Sequence, residues 1–161
     1  MKLFICAVGR AKPSPERDLL TTYLDRLRSA GGQCGITGTE LIEVEERKQL
    51  SPAELKLREG KMLLSAVPKG AVIIALDERG KTQTSQKFTD LIARTRDNSV
   101  PAMAFLIGGA DGLSQEVRDA ADQLLSFGAV TWPHMLVRAM IAEQLYRSVT
   151  IMTGHPYHRE G

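Results

Sequence analysis

Ala102-Met103-Ala104-Phe105-Leu106-Ile107-Gly108-Gly109-Ala110-Asp111-Gly112 is the stretch on which the fold turns. An uncharged apolar run of this length, closed at once by paired glycines, reads as a strand buried on both faces and ended by a tight turn. Similar short runs stand at residues 3–8, 41–44 and 71–76, and longer amphipathic stretches separate them. Such alternation is the pattern of parallel strands joined by crossover helices, so the fold class is α/β.

The helices carry their own signals. Ser51-Pro52-Ala53-Glu54 supplies a capping serine, proline at the first helical position and a glutamate three residues after the cap, which predicts a helix running to about Ala66. Val137, Ile141, Leu145 and Val149 recur every four positions beside Leu136 and Met140, and predict a long, largely buried helix over residues 135–152. That stripe suits either the core or an oligomer surface. Gly31, Gly32, Gly35 and Gly38 crowd one stretch, which reads as a surface loop.

With 161 residues, 43% hydrophobic and 25% charged, the chain suits one domain spanning residues 1–161. A formal net charge of +2 permits an RNA partner without demanding one. Cys6 and Cys34 have neither CxxC spacing nor the density of a disulfide scaffold, which points to a reducing, cytoplasmic setting. The apolar opening of residues 1–9 is too short for a secretory signal and is followed by Arg10 and Lys12. No stretch reaches the eighteen or so uninterrupted apolar residues that a membrane span needs, so a soluble protein is expected.

In open α/β sheets ligands bind beyond the carboxyl ends of strands, so the turns after the apolar runs hold the candidate chemistry. Three stand out: Asp77-Glu78-Arg79-Gly80-Lys81 after Leu76, Gly108-Gly109-Ala110-Asp111-Gly112 after Ile107, and Gly128-Ala129-Val130-Thr131-Trp132 after Phe127. Without Cβ atoms at Gly108 and Gly109, a flat hydrogen-bonding ligand can approach the main chain, although the same pair also serves a plain strand-to-helix turn capped by Ser114. The spacing fits neither the dinucleotide nor the P-loop fingerprint. The carboxyl end is denser in chemistry: Pro133-His134, Arg138, Glu143-Gln144-Leu145-Tyr146-Arg147 and His155-Pro156-Tyr157-His158-Arg159-Glu160. His155 and His158 lack a third ligand at usable spacing, so no metal is expected.

At these residues the chain resembles the ribosomal RNA large-subunit methyltransferase H family, one of the SPOUT methyltransferases. The specific segments are Leu106-Ile107-Gly108-Gly109 with Gly112, Leu125-Ser126-Phe127, Thr131 before Pro133-His134, Arg138, Glu143-Gln144-Leu145-Tyr146-Arg147, and Pro156-Tyr157-His158-Arg159. The resemblance implies a parallel-sheet SPOUT fold with a C-terminal trefoil knot, a feature that general folding rules would not suggest. It implies S-adenosylmethionine as methyl donor, held at Leu76, Gly108, Phe127, Gly128, Ala129, Val130, Thr131 and Trp132. It also implies a homodimer whose second subunit completes the RNA site, and methylation at N3 of a pseudouridine in 23S ribosomal RNA within the ribosome. Gly128 stands where the family often has serine, and Trp132 where a smaller apolar residue or Phe is usual. Gly161 extends the chain one residue beyond the usual end.

Removing the N3 proton leaves charge on the base, which a guanidinium at Arg138 or Arg159 would stabilise. His158 is expected as proton acceptor or positioner, and Tyr157 as a stacking or hydrogen-bonding partner of the base. Arg10, Lys12, Arg17 and Arg138 are candidates for phosphate contact. Two rivals are a noncatalytic ribosome-associated RNA-binding protein of the same fold and a flavodoxin-like nucleotide-binding or hydrolase domain.

Overall fold

The computed structural model describes residues 1–159; Glu160 and Gly161, named above with the carboxyl end, lie outside the described residues. Five strands form one sheet in the order β2-β1-β4-β3-β5, every neighbouring pair parallel. They are β1 (Lys2–Val8), β2 (Gly38–Val44), β3 (Val72–Lys81), β4 (Ala102–Ile107) and β5 (Gln123–Leu125). The connecting helices are α1 (Pro15–Ala30), α2 (Pro52–Ala66), α3 (Ser85–Asp97), α4 (Gln115–Ala120) and α5 (His134–Thr153). The α/β expectation holds, and β4, at the centre, is buried at every residue.

Side chains of a strand alternate between faces, so one sheet builds two cores. Leu3, Ile5, Met103 and Phe105 face α1, α3 and α5 with Leu24, Ile92, Ile141 and Leu145. Phe4, Cys6, Ala104 and Leu106 face the other way, onto Leu63 of α2 and Val117 of α4. Burying these apolar groups from water is the main stabilising term on both sides. The α5 stripe is therefore internal core: Ile141, Leu145 and Val149 are buried, while Val137 is only partly so.

Ser51 forms the expected capping box, its Oγ accepting from the Glu54 N–H at 3.3 Å while Glu54 Oε2 accepts from the Ser51 N–H at 3.1 Å. The glycine-rich stretch departs from the expected surface loop. Gly31–Cys34 is a turn of 3-10 helix in which Gly31 and Cys34 are buried, and Gly38 already belongs to β2, paired with Lys2. Small residues here permit close packing against Ile36, whose main-chain oxygen would lie 3.0 Å from a Cβ on Gly31.

β3 is longer than its apolar run, because after an irregularity following Leu76 the chain returns to pair Lys81 with Leu125. Gly80 sits at that return, where an added Cβ would stand 2.6 Å from the main-chain carbon of Leu124 and 2.7 Å from that of Leu125.

Arg138 is the one charged residue among the described core residues and is 0% exposed. Its guanidinium donates to Glu43 Oε1 at 2.7 Å, to the Val8 carbonyl and to the Gly9 carbonyl at 2.9 Å, while Nε has no partner among the described residues. Glu43 also accepts from the Ala11 N–H at 2.8 Å. The expectation that Arg138 faces a substrate base or a phosphate is corrected by this geometry. Its charge is spent inside the protein, fastening α5 to the ends of β1 and β2.

Gly80→Ala should lower stability by about 3 kcal/mol through overpacking against backbone, whereas Gly32→Ala, with open space around it, should change it by less than about 0.5 kcal/mol. Thermal unfolding of the two variants checks the contrast. Glu43→Ala should cost about 3 kcal/mol by leaving a buried guanidinium short of its counter-charge, and Glu43→Leu combined with Arg138→Met should recover part of that loss.

Candidate functional site

The irregular part of β3 after Leu76 and the turns beyond the carboxyl ends of β4 and β5 close around a cleft of about 350 Å3. Leu76 and Gly108 line it, and Phe127, Gly128, Val130, Thr131 and Trp132 form its other wall. Ala129 belongs to the same loop but is exposed and outside the lining. The expected donor-binding positions, Ala129 apart, thus share one cavity. Its size falls in the range of small-molecule and cofactor sites.

Local chemistry shapes each wall. Gly108 has no room for a Cβ, which would lie 2.7 Å from the Gly112 main-chain carbon, and the turn is closed by Gly112 N–H donating to the Gly109 carbonyl at 3.0 Å. Gly128 has a φ of +113°, a conformation that a side chain would strain, so glycine rather than serine suits this backbone. Ser126 Oγ fixes the bend, donating to the Gly128 carbonyl at 3.0 Å and accepting from the Gly128 N–H at 3.2 Å. Trp132 donates its indole N–H to the Phe127 carbonyl at 3.3 Å and remains 40% exposed, beside Val130 at 61%. Two large apolar groups left open at the mouth suit a flat ring lying against them.

Several residues at or beside the cleft had no role assigned from the sequence. Asp77 pairs with Arg118 at 2.7 Å, and both side chains are largely buried. Burial opposes ionisation of Asp77, but the Arg79 N–H and the Arg118 guanidinium outweigh it and hold the carboxyl below its usual range. Asp77 follows directly on an apolar run, a legible position; Arg118 on α4 offers no such signal. On α2, Glu59 is pushed upward by burial and by the charge of Asp111. His134 lines the cleft with a buried, unpartnered Nδ1, and burial together with the Arg138 charge pushes it downward. The cleft therefore offers main-chain groups, acidic side chains at Asp77, Glu78 and Asp111 matched by Lys56, Arg79 and Arg118, two open apolar side chains and an imidazole nitrogen without a partner among the described residues. That set fits a ligand with a flat ring, polar edges and charged groups of both signs.

The carboxyl-terminal residues gather elsewhere. Tyr157 lies against α1 and α5, with its hydroxyl donating to Glu143 Oε1 at 3.0 Å and standing 3.3 Å from the Tyr23 hydroxyl. Its ring meets Tyr146 edge-on at 4.9 Å and lies under the Arg147 guanidinium at the same distance. Burial, aided by Tyr23 and Glu143, drives the Tyr157 hydroxyl well above its ordinary pKa, so it stays protonated. Arg147 binds Glu143 at 2.6 Å and contacts His158 Nδ1 at 3.2 Å. Arg159 is exposed. Val137 borders the cleft and Arg147 stands ten positions later on α5, a separation of about 15 Å by helical rise. Within one chain the structure brings the donor positions together, and Tyr157 with His158, but leaves the two groups apart.

No helix among the described residues is long and apolar enough to cross a membrane. The chain matches, over residues 1–158, the family described as Predicted SPOUT methyltransferase. It is 52% identical to the Ribosomal RNA large subunit methyltransferase H of Rhodospirillum centenum and 48% identical to the protein of that name from Xanthobacter autotrophicus, with 99% of each chain covered. Among solved structures, a probable methyltransferase from Bordetella pertussis aligns with a TM-score of 0.53 at 16% identity, covering 92% of this chain and 95% of the other. A putative methylase family protein from Neisseria gonorrhoeae aligns with the same score at 12% identity, over 99% of this chain and 86% of the other. These two likenesses concern the fold. Given the family match along almost the whole length, the chain belongs to the SPOUT methyltransferases, which take their methyl group from S-adenosylmethionine.

Proposed function

We propose that this protein acts in the cytoplasm as a homodimeric methyltransferase that modifies N3 of a pseudouridine in large-subunit ribosomal RNA. The names carried by its full-length relatives support ribosomal RNA as the substrate class and favour turnover over a purely structural RNA-binding role. The observation that carries the reading is the cleft itself, where the irregular part of β3 and the turns after β4 and β5 present main chain and two open apolar side chains to one cavity. A C-terminal knot is the expected threading, and the close passage of Gly80 across β5 is consistent with it.

Bound there, S-adenosylmethionine supplies an electrophilic methyl carbon. Trp132 and Val130 would cover its flat ring, and main-chain groups of Leu76, Gly108, Phe127, Gly128 and Thr131 would take its polar edges. Asp111 and Glu78 would balance its positive charge. The protein's contribution is alignment, a large factor for a transfer between two bound groups.

Tyr157, His158 and Arg159 would hold the target base. Because they lie along α5 from their own cleft, the tail of one protomer serves the cleft of the other. The Arg159 guanidinium then stabilises the charge left when N3 loses its proton.

Trp132→Ala should weaken S-adenosylmethionine binding about tenfold, a loss of about 1.4 kcal/mol, as read by titration calorimetry. His158→Ala should cripple methylation while leaving that affinity nearly unchanged. Ribosomal RNA from a strain lacking the gene should lose one N3-methyl mark by mass analysis, and the purified protein should restore it on assembled subunits. An unaltered modification pattern in that strain would refute the assignment. Dimers pairing a cleft-defective protomer with a Tyr157→Ala protomer should retain activity that neither homodimer shows.

A further inference from the structure

Among the described residues His158 makes one polar contact, Arg147 Nη1 to its Nδ1 at 3.2 Å. A guanidinium has only N–H donors, so the imidazole nitrogen facing it must accept. Neutral imidazole carries one proton, which therefore sits on Nε2. Arg147 is itself fixed by two hydrogen bonds to Glu143 Oε1, at 3.0 and 2.6 Å, and by the Tyr157 ring beneath it. That carboxylate oxygen also accepts from the Tyr157 hydroxyl. The acceptor side of His158 is thus tied into a chain of donors anchored on α5.

We propose that Arg147 is a positioning residue which fixes His158 as a hydrogen-bond donor through Nε2–H, so that His158 acts on a carbonyl oxygen of the target base. This rests on the reading that the tail holds the base. A pyrimidine N3 lies between two ring carbonyls, and the charge left on deprotonation spreads onto their oxygens, where a fixed N–H stabilises it. The N3 proton passes to solvent water rather than to the imidazole. The carbon–nitrogen bond then forms at N3 as the carbon–sulfur bond breaks, with its electron pair remaining on sulfur. Preorganised donors of this kind are each worth about a hundredfold in rate.

Among the described residues the groups that could oppose this assignment are few. Tyr157 stays protonated and bonded to Glu143, and both Glu143 oxygens are engaged, Oε1 as above and Oε2 by the Gln144 amide at 2.7 Å. His155 Nδ1 accepts from the Tyr157 N–H at 3.2 Å.

Substitutions at His158 separate donor from base. Glutamine can place an N–H near the Nε2 position but cannot take up a proton, so His158→Gln should keep kcat within about tenfold while His158→Phe loses about a hundredfold. Arg147→Ala should slow turnover by a similar factor and add nothing to His158→Phe, because two residues acting through one contact are not additive. Arg147→Lys, which can still donate, should restore most of the rate. Nitrogen-15 spectra of the intact protein, with the His158 signals assigned by their loss in His158→Gln, should show neutral His158 protonated at Nε2 and not at Nδ1. Protonation at Nδ1, or a His158→Gln variant as slow as His158→Phe, overturns the proposal. The spectra need no RNA, so they judge the tautomer even if another substrate proves to be the right one.

Discussion

A single buried guanidinium holds the site in place. Arg138 enters the core from the second turn of α5 and satisfies carbonyls at the end of β1 together with Glu43 of β2. A charge taken out of water is tolerable only when it is paired and most of its hydrogen bonds are made, so its partners are as constrained as it is. This fixes where α5 begins, and hence where the loop from Ser126 to Trp132 must run to reach it. The wall of the cleft is set by an interaction that never touches a ligand.

The parallel sheet does the complementary work. Its strands end on the same side, so three separate turns open into one volume without any of them being close in sequence. Gly108 and Gly128 serve this arrangement in different ways: one lets two stretches of backbone pass within contact, the other accepts a φ that side chains avoid. The polar floor, Asp77 with Arg118, links β3 to α4 and keeps a carboxylate ionised beneath the turns.

Much of this was legible in the amino-acid sequence. The four longer strands and the Ser51 helix start follow from local runs and caps, and the Val137 to Val149 spacing marks α5. The three turns were found because strand ends are where α/β sheets bind ligands. What escaped was long-range. Nothing near Arg138 in sequence announces that Glu43, 95 residues earlier, and the carbonyls of Val8 and Gly9 will consume its charge. The glycines at 31 and 38 signalled a loose loop, yet burial beside Ile36 and pairing with Lys2 drew them into the fold. The docking of Tyr157 on Tyr23 joins residues 134 apart, a contact that no periodicity encodes.

The chain has one tryptophan, and it stands at the rim of the cleft with its indole N–H tied to its own loop and its ring partly open to solvent. The three tyrosines, Tyr23, Tyr146 and Tyr157, cluster together away from it, with Tyr146 tilted against Tyr23 and edge-on to Tyr157. Light absorbed by the indole band is therefore emitted from a single known place. Its colour and intensity report the polarity of the cleft alone, which makes the protein its own optical sensor for whatever enters there.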